Sequence, residues 1–174
     1  ALRLVKNWEV KEGYNKDNHF AFEWFAAKLN ESILNINKDF SKFRISDALM
    51  KIYKLIWDDF CSWYLEMVKP PYQTAIDKES YDKTIAYFEK MMQLLHHFMP
   101  FLTEEVWHQL QERNDKDCIM VSNWPKVTKT EKQTIEQGEL LQAIITNIRN
   151  IRNNHSISPK ETLRLQIKCK QQDN

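Results

Sequence analysis

Glycine occurs at only two of the 174 positions in this chain, and this scarcity constrains the fold more than any other feature. Proline occurs five times. A many-stranded β fold needs a turn every few residues, and turns depend on these two residue types. The chain is therefore expected to form a few long helices. Its length suits one domain with a core of its own, because a domain typically takes roughly 100–200 residues.

Apolar side chains recur every three or four residues along most of the first two thirds of the chain, as in helices with one buried face. The residues from Leu2 to Trp8 read as the tail of a first helix. Further helices are predicted at about 17–39, 46–69, 77–98 and 103–110. Pro70-Pro71 ends one helix and Pro100 interrupts another, because proline lacks a backbone N–H. Short connections between amphipathic helices predict an antiparallel helix bundle over residues 1–113.

Residues 114–174 are predicted to form a connecting segment, a helix and a terminal strand. The stretch from Asn114 to Lys129 is irregular, and a helix is expected from about Thr130 to Asn153. Apolar and polar residues then alternate from Leu163 to Ile167, which is the period of a strand. A single strand is not stable, so it would need a partner such as Cys118 to Val121. The predicted fold class is therefore mainly α, with a short helix-strand extension at the C-terminal end.

Charge and cysteine content exclude several classes of protein. The chain has 25 Lys and Arg against 24 Asp and Glu, a net charge of +1. A strong nucleic-acid binder usually has a clear basic excess, so tight binding by charge alone is not expected. Cys61, Cys118 and Cys169 are far apart and odd in number, which disfavours a disulfide framework or a zinc site and suits the cytoplasm. No apolar run approaches the ~20 residues that a membrane helix needs.

Residues for catalysis or metal binding do not converge in the sequence. Two glycines cannot supply a glycine-rich phosphate loop. His96 and His97 are adjacent and diverge on a helix, so with His108 they do not form the three or four convergent ligands of a metal site. Asp58 and Asp59 diverge in the same way and are expected on a solvated face. We therefore expect no catalytic residue and no metal in this chain.

One helix carries an aromatic pair away from its predicted core face. The apolar stripe of the 17–39 helix centres on Phe22 and Leu29, while Phe20 and Trp24 fall nearly opposite and Lys28 flanks them. Unpaired bases stack on such rings, and a lysine can meet a phosphate. Packing against a neighbouring part of the protein explains the same pattern. The residues alone leave both interpretations open.

Three segments carry a resemblance to a known family. They are DFCSWYLEMVK at 59–69, LLHHFMPFLTEEVWHQL at 94–110 and IRNIRNNHSISP at 148–159. They resemble the anticodon-binding domain of class I aminoacyl-tRNA synthetases, most closely the valyl-tRNA synthetases, and the likeness spans nearly the whole chain. The family commonly has proline where this chain has His97, but Pro100 still marks the break between helices. Isoleucyl and leucyl enzymes share the bundle, and a helical protein-interaction module is the alternative outside this family.

The resemblance implies a helical domain that receives the anticodon loop of tRNA(Val). The parent enzyme would be an ATP-dependent valine-tRNA ligase in the cytoplasm, and the His-Ile-Gly-His and Lys-Met-Ser-Lys-Ser signatures of its catalytic domain are not in this sequence. The fragment is therefore expected to be inactive alone and to hold no cofactor, with ATP bound by the catalytic domain of the parent. That domain, in the same chain, is the second expected partner; no membrane partner is expected, and the chain is expected to be a monomer.

The resemblance also suggests residues for tRNA binding. Arg3 matches an arginine at the end of the family's first bundle helix and would bond to a base edge or a phosphate. Trp24 matches an aromatic residue on the second helix and would stack on a base, with Phe20 in support. Lys28 would hold the RNA backbone. Glu23 departs from the basic residue often found just before that aromatic residue, so no contact is assigned to it.

Overall fold

The computed structural model describes residues 1–114, 116–128, 131–158 and 160–166. By its internal contacts the chain divides into two compact units, Ala1–Ile135 and Glu136–Asn174. The helices and strands are α1 (Leu2–Lys6), β1 (Val10–Lys11), α2 (His19–Ser41), α3 (Ile45–Lys54), α4 (Leu65–Val68), β2 (Ile76–Asp77), α5 (Lys78–Leu95), α6 (Pro100–Leu110) and α7 (Lys132–Asn154). A π-helical segment, Leu55–Tyr64, joins α3 to α4, and short 3₁₀ turns lie at Lys16–Asn18 and Ile119–Val121. The prediction of a mainly α fold is confirmed.

Helix α2 lies at the centre of the first unit because its aromatic residues meet those of two other elements. The ring of Phe25 lies 5.3 Å from Phe60 and 4.8 Å from Tyr64, both in the π-helical segment. The same ring lies 5.1 Å from Tyr87 in α5. Burying one aromatic side chain removes roughly 150–250 Å² from water, so this cluster contributes strongly to the cohesion of the unit.

The long helix predicted before Pro70-Pro71 is present but is not α-helical throughout. A π-helical turn bonds residue i to i+5, so each turn takes more residues than an α-helical turn and the inward face shifts along the sequence. In the predicted 46–69 helix, apolar residues at α-helical spacing put Trp63 and Met67 on the core face, but the structure leaves both side chains half-buried. The buried residues are Leu55, Phe60, Tyr64, Leu65 and Val68. The prediction of which residues face the core was therefore wrong in this segment, because it assumed α-helical periodicity.

The start of α5, predicted at about residue 77, is fixed by a side-chain cap. The Asp77 carboxylate accepts a hydrogen bond of 3.0 Å from the backbone N–H of Ser80. One turn later the Thr84 hydroxyl donates to the Ser80 carbonyl at 2.7 Å, so the buried Tyr64 hydroxyl, 3.0 Å from Thr84, is the donor between those two. These bonds satisfy polar groups inside the core, where an unpaired donor costs roughly 1–3 kcal/mol.

Helix α6 begins three residues earlier than predicted. Pro100 takes the first helical position, where a missing N–H carries no penalty, and Thr103 lies inside the helix. A hydroxyl residue at the predicted start, position 103, would be expected to cap the helix, but the Thr103 hydroxyl donates to the Met99 carbonyl at 2.9 Å and does not cap it. His96 lies 2.8 Å from the same hydroxyl, which gives this histidine a structural role.

Extended structure is limited to one short parallel pair. Val10 pairs with Ile76 and Lys11 with Asp77, and the backbone N–H of Ile76 donates to the Glu9 carbonyl at 2.8 Å. The strand predicted near the C-terminal end is wrong where it can be assessed, because 163–166 have no regular structure, while Ile167 and Cys169 lie outside the described residues. Its suggested partner segment contains the 3₁₀ turn at Ile119–Val121.

The second unit contains most of α7 and the chain that follows it. Arg152 closes this segment by donating to the carbonyls of Ser158 at 2.7 Å and Glu161 at 2.9 Å. Across residues 1–114, 116–128, 131–158 and 160–166, no helix has both the length and the apolar character needed to cross a membrane. Within the same ranges no three His, Cys, Asp or Glu side chains come together as a metal-binding group.

Candidate nucleic-acid interface

Trp24 lies in the core, so the prediction that it forms an outer aromatic face is wrong. Its side chain is 0% exposed. Helix α2 is enclosed around most of its circumference in this half, where Ala21, Phe22, Phe25 and Ala27 are also buried. The ring therefore offers no surface on which a base could stack. Its Nε1–H is buried without a hydrogen-bond partner, an arrangement that costs folding free energy.

Phe20 and Lys28 are also less accessible than predicted. Phe20 is half-buried and packs against the core. The Lys28 side chain is 15% exposed, and its ammonium lies 4.0 Å from the Glu31 carboxylate. A cation already paired and mostly covered is a poor phosphate contact, because that contact would require the pair to separate.

Lys28 instead faces a half-buried acid. Burial raises the pKa of Asp59 from 3.8 to about 6, and the charges of Lys28 and Lys54 oppose this rise. Asp58 is exposed as predicted, but Asp59 is not on a solvated face. The difference follows from helix geometry, since adjacent residues of a helix point in different directions and only one of the two faces α2.

Arg3 is the one predicted tRNA-binding residue that is exposed, and the next residue in the chain, Leu4, lines a cleft. Arg3 belongs to the last turn of α1, where Leu4 lines a cleft of about 470 Å³ together with Trp8. A second cleft of about 540 Å³ lies on the other side of the loop 70–74 and includes Asn18, which immediately precedes α2. Both volumes fall in the roughly 300–1,000 Å³ range of small-molecule sites.

The loop 70–74 forms the wall shared by both clefts. Pro70, Pro71 and Thr74 line each of them. The turn is closed by the Thr74 N–H, which donates to the Pro71 carbonyl at 3.0 Å, and by the Thr74 hydroxyl, which donates to the same carbonyl at 2.7 Å. We call the residues lining the two clefts, with Arg3, the proline-loop face.

Exposed rings and lysines occur on the proline-loop face. Tyr72 is 91% exposed and Tyr14 is 48% exposed. Lys11 and Lys69 line the larger cleft, with Lys69 2.6 Å from Glu66. Aromatic rings beside cations are the arrangement that proteins use to hold unpaired nucleotides, since bases stack on the rings and phosphates meet the cations.

Sequence reasoning missed the two tyrosines. Neither belongs to a helical stripe, so periodicity says nothing about them. The sequence did contain a signal, because Pro70-Pro71 is followed directly by an aromatic residue. Two prolines before a ring indicate a rigid turn that carries the ring. Gly13 gives a second signal. Its φ of 147° is a backbone conformation that favours glycine, and it shapes the loop that carries Tyr14.

Comparisons with known proteins give a consistent result. The family model described as "Anticodon-binding domain of tRNA ligase" matches residues 23–167. The chain is 41% identical over 169 residues to the valine--tRNA ligase of Parabacteroides distasonis, covering 96% of this chain and 19% of that protein. It is 40% identical over 165 residues to the enzyme of Christiangramia forsetii, covering 94% and 19%. The chain is 36% identical over 155 residues to the Bacillus cereus enzyme, covering 86% of this chain and 17% of that protein. The chain thus spans about a fifth of the length of these curated relatives.

The burial of Trp24 predicts losses of stability of different size for two substitutions. Trp24→Ala leaves a large cavity and should lower the free energy of unfolding by about 3–5 kcal/mol. Trp24→Phe should cost less than about 2 kcal/mol, because it also removes a buried donor that lacks a partner. Urea unfolding followed by circular dichroism measures both. Trp57→Ala, at a ring 59% exposed, is the control and should change stability by less than about 1 kcal/mol. A Trp24→Ala effect as small as that of the control would place the ring outside the core.

The raised pKa of Asp59 predicts a pH-dependent stability. Because the pKa is about 6 in the folded chain against an ordinary 3.8, folding favours the protonated form. This contribution is full below pH 3.8 and is lost as the pH rises through about 6. The free energy of unfolding of Asp59→Asn should therefore increase relative to that of the unsubstituted chain as the pH rises from 3.8 to about 6, as measured by urea unfolding at each pH. Asp58→Asn is the exposed control, and an equal pH dependence in both variants would contradict the assignment.

Proposed function

The chain belongs to the anticodon-binding domain family of tRNA ligases, and from that membership we propose that its proline-loop face receives the anticodon loop of tRNA(Val). The observation that carries the placement is the position of two exposed tyrosines at clefts at one end of the bundle, where Leu4, the chain neighbour of Arg3, also lines a cleft. Unpaired loop bases can be splayed out and stacked there, which is how proteins read single-stranded RNA.

Valine is proposed as the amino acid because of the relatives. Each of the three relatives described above is a valine--tRNA ligase, and two of them match at least 94% of this chain. An isoleucyl or leucyl enzyme would share the bundle but does not account for identities of 40% and 41% to valine enzymes. A protein-interaction module without RNA binding does not account for the family match over 23–167.

The longer protein is proposed to be an ATP-dependent valine-tRNA ligase of the cytoplasm, active as a monomer. ATP would bind in a catalytic domain elsewhere in the polypeptide, and the relatives, about five times longer than their matched part, have room for one. The role of the present residues is positional. They hold the anticodon while the acceptor end of the same tRNA reaches the catalytic domain, so a correct anticodon favours productive binding of the whole tRNA.

The balanced charge defines how this part contributes to binding. With a net charge of +1 the chain gains little from phosphate attraction in general, so its affinity depends on a few local contacts. Of the four residues proposed from the resemblance, Arg3 keeps its proposed contact with a phosphate or a base edge. Phe20 and Trp24 are proposed to contribute through the packing of α2, and Lys28 through its contacts with Glu31 and Asp59.

A hairpin RNA with the valine anticodon stem and loop should bind this chain weakly, with an affinity that falls as salt rises. Arg3→Ala should weaken binding and reduce the slope of log affinity against log salt by about 0.7–0.9, because one phosphate contact is lost. Lys42→Ala removes the same charge at the far end of α2 and is the control, expected to leave the slope unchanged. Fluorescence anisotropy over a series of salt concentrations measures all three chains.

Two results would contradict the proposal. One is an absence of binding to this hairpin at low salt and high protein concentration, when the same chain is folded by circular dichroism. The other is equal affinity for the valine hairpin and for a hairpin with the same stem and a scrambled loop, since an anticodon reader must distinguish loop bases.

A further inference from the structure

Tyr72 occupies a position that packing does not explain. Its side chain is 91% exposed, so it adds almost nothing to the core. A single exposed tyrosine is ordinary on a protein surface. This one, however, lies in the wall between two clefts, lines the smaller of them, and follows two prolines that line both.

The turn that carries Tyr72 is held rigidly at both ends. Proline fixes φ at two successive positions before the ring. Thr74 closes the turn with its N–H and its hydroxyl, which both donate to the Pro71 carbonyl. Two residues later the Ile76 N–H donates to the Glu9 carbonyl at 2.8 Å. A rigid aromatic residue loses little conformational entropy when a ligand packs on it, so such a ring is well suited to binding.

Gln73 adds an independent observation, because its backbone is strained. Its φ is 61°, in the left-handed region where glycine or asparagine is usual at this position of a turn. Such a conformation costs a non-glycine residue on the order of 1 kcal/mol, and strain of this kind clusters at ligand-binding sites. The glutamine side chain brings an amide with two donors and one acceptor to the tip of the turn, beside the ring.

We propose that Tyr72 is a stacking platform for one unpaired base of the bound RNA loop, and that the Gln73 amide hydrogen-bonds to the edge of the neighbouring base. The inference rests on the proposed function and adds to it the residues that select bases. The two clefts flanking the turn accommodate successive bases on opposite sides of the wall formed by Pro70, Pro71 and Thr74. The stacking contact would contribute affinity for any base, and the amide contact would make the affinity depend on which base is present.

Affinity for the valine anticodon hairpin tests the platform. Tyr72→Leu keeps an apolar side chain but removes the ring, and binding should weaken by about fivefold or more. Tyr72→Phe keeps the ring and should bind within about twofold of the unsubstituted chain. Phe101→Ala is the matched control, because Phe101 is also 91% exposed but lies beyond the far end of α5, a helix about 27 Å long. The control should leave affinity unchanged.

A fluorescent base gives a readout that a merely structural role would not change. Hairpins with 2-aminopurine at each loop position in turn should show quenching on binding at one position, because stacking on an aromatic ring quenches this base. Tyr72→Leu should abolish that quenching and Phe101→Ala should keep it. Gln73→Gly should raise the unfolding midpoint slightly, since the strain is relieved, yet reduce the preference for the valine loop over a scrambled loop.

The outcomes separate this inference from the proposed function. If the unsubstituted chain binds no hairpin, the proposed function fails and the platform with it. If it binds but Tyr72→Leu binds equally well, the platform is wrong while anticodon binding stands. Equal losses of hairpin affinity in Tyr72→Phe and Tyr72→Leu would assign the contact to the tyrosine hydroxyl and overturn base stacking. Unchanged loop preference in Gln73→Gly would overturn the base-edge contact.

Discussion

The packing of Phe25 against Phe60, Tyr64 and Tyr87 is the interaction on which the rest of the first unit depends. It brings the N-terminal half of α2 against the π-helical segment and α5 at once. The Tyr87 hydroxyl adds a hydrogen bond of 3.0 Å to the Phe22 carbonyl, so the same contact also fixes the helices along their axes. Burial raises the pKa of Tyr87 from 10.0 to about 12, so this donor stays protonated even at a pH where an exposed tyrosine begins to ionise.

A core that encloses α2 on most sides leaves little helix surface for recognition. Trp24 and Lys28, which a helical wheel places on an outer face, are drawn into packing and ion pairing. Recognition then falls to the loops at the end of the bundle, where backbone polar groups and exposed rings are accessible. The short β1–β2 pair matters for this reason, because it ties the loop after α1 to the loop that carries Tyr72 and sets the width of the clefts.

The sequence predicted what periodicity and turn chemistry control. The helices α2 and α5 and the end at Pro70-Pro71 were all identified, because each depends on local spacing or on one residue type. The fold class and the family resemblance are likewise confirmed. The π-helical register and the burial of Trp24 were not predictable, since both depend on which helix packs on which side. The candidate site was predicted only at Arg3, because the clefts join segments about 60 residues apart that no local pattern links.

The central claim is that RNA meets this bundle at the proline-loop face and not along its helices. Chemical-shift mapping of the ¹⁵N-labelled chain, titrated with the valine anticodon hairpin, tests that claim most directly. The account predicts that the largest shifts fall on backbone amides from 3–18 and 69–77. Shifts confined to the exposed face of α3 and the π-helical segment, around Met50, Tyr53 and Trp57, with the loop 70–74 unaffected, would contradict it.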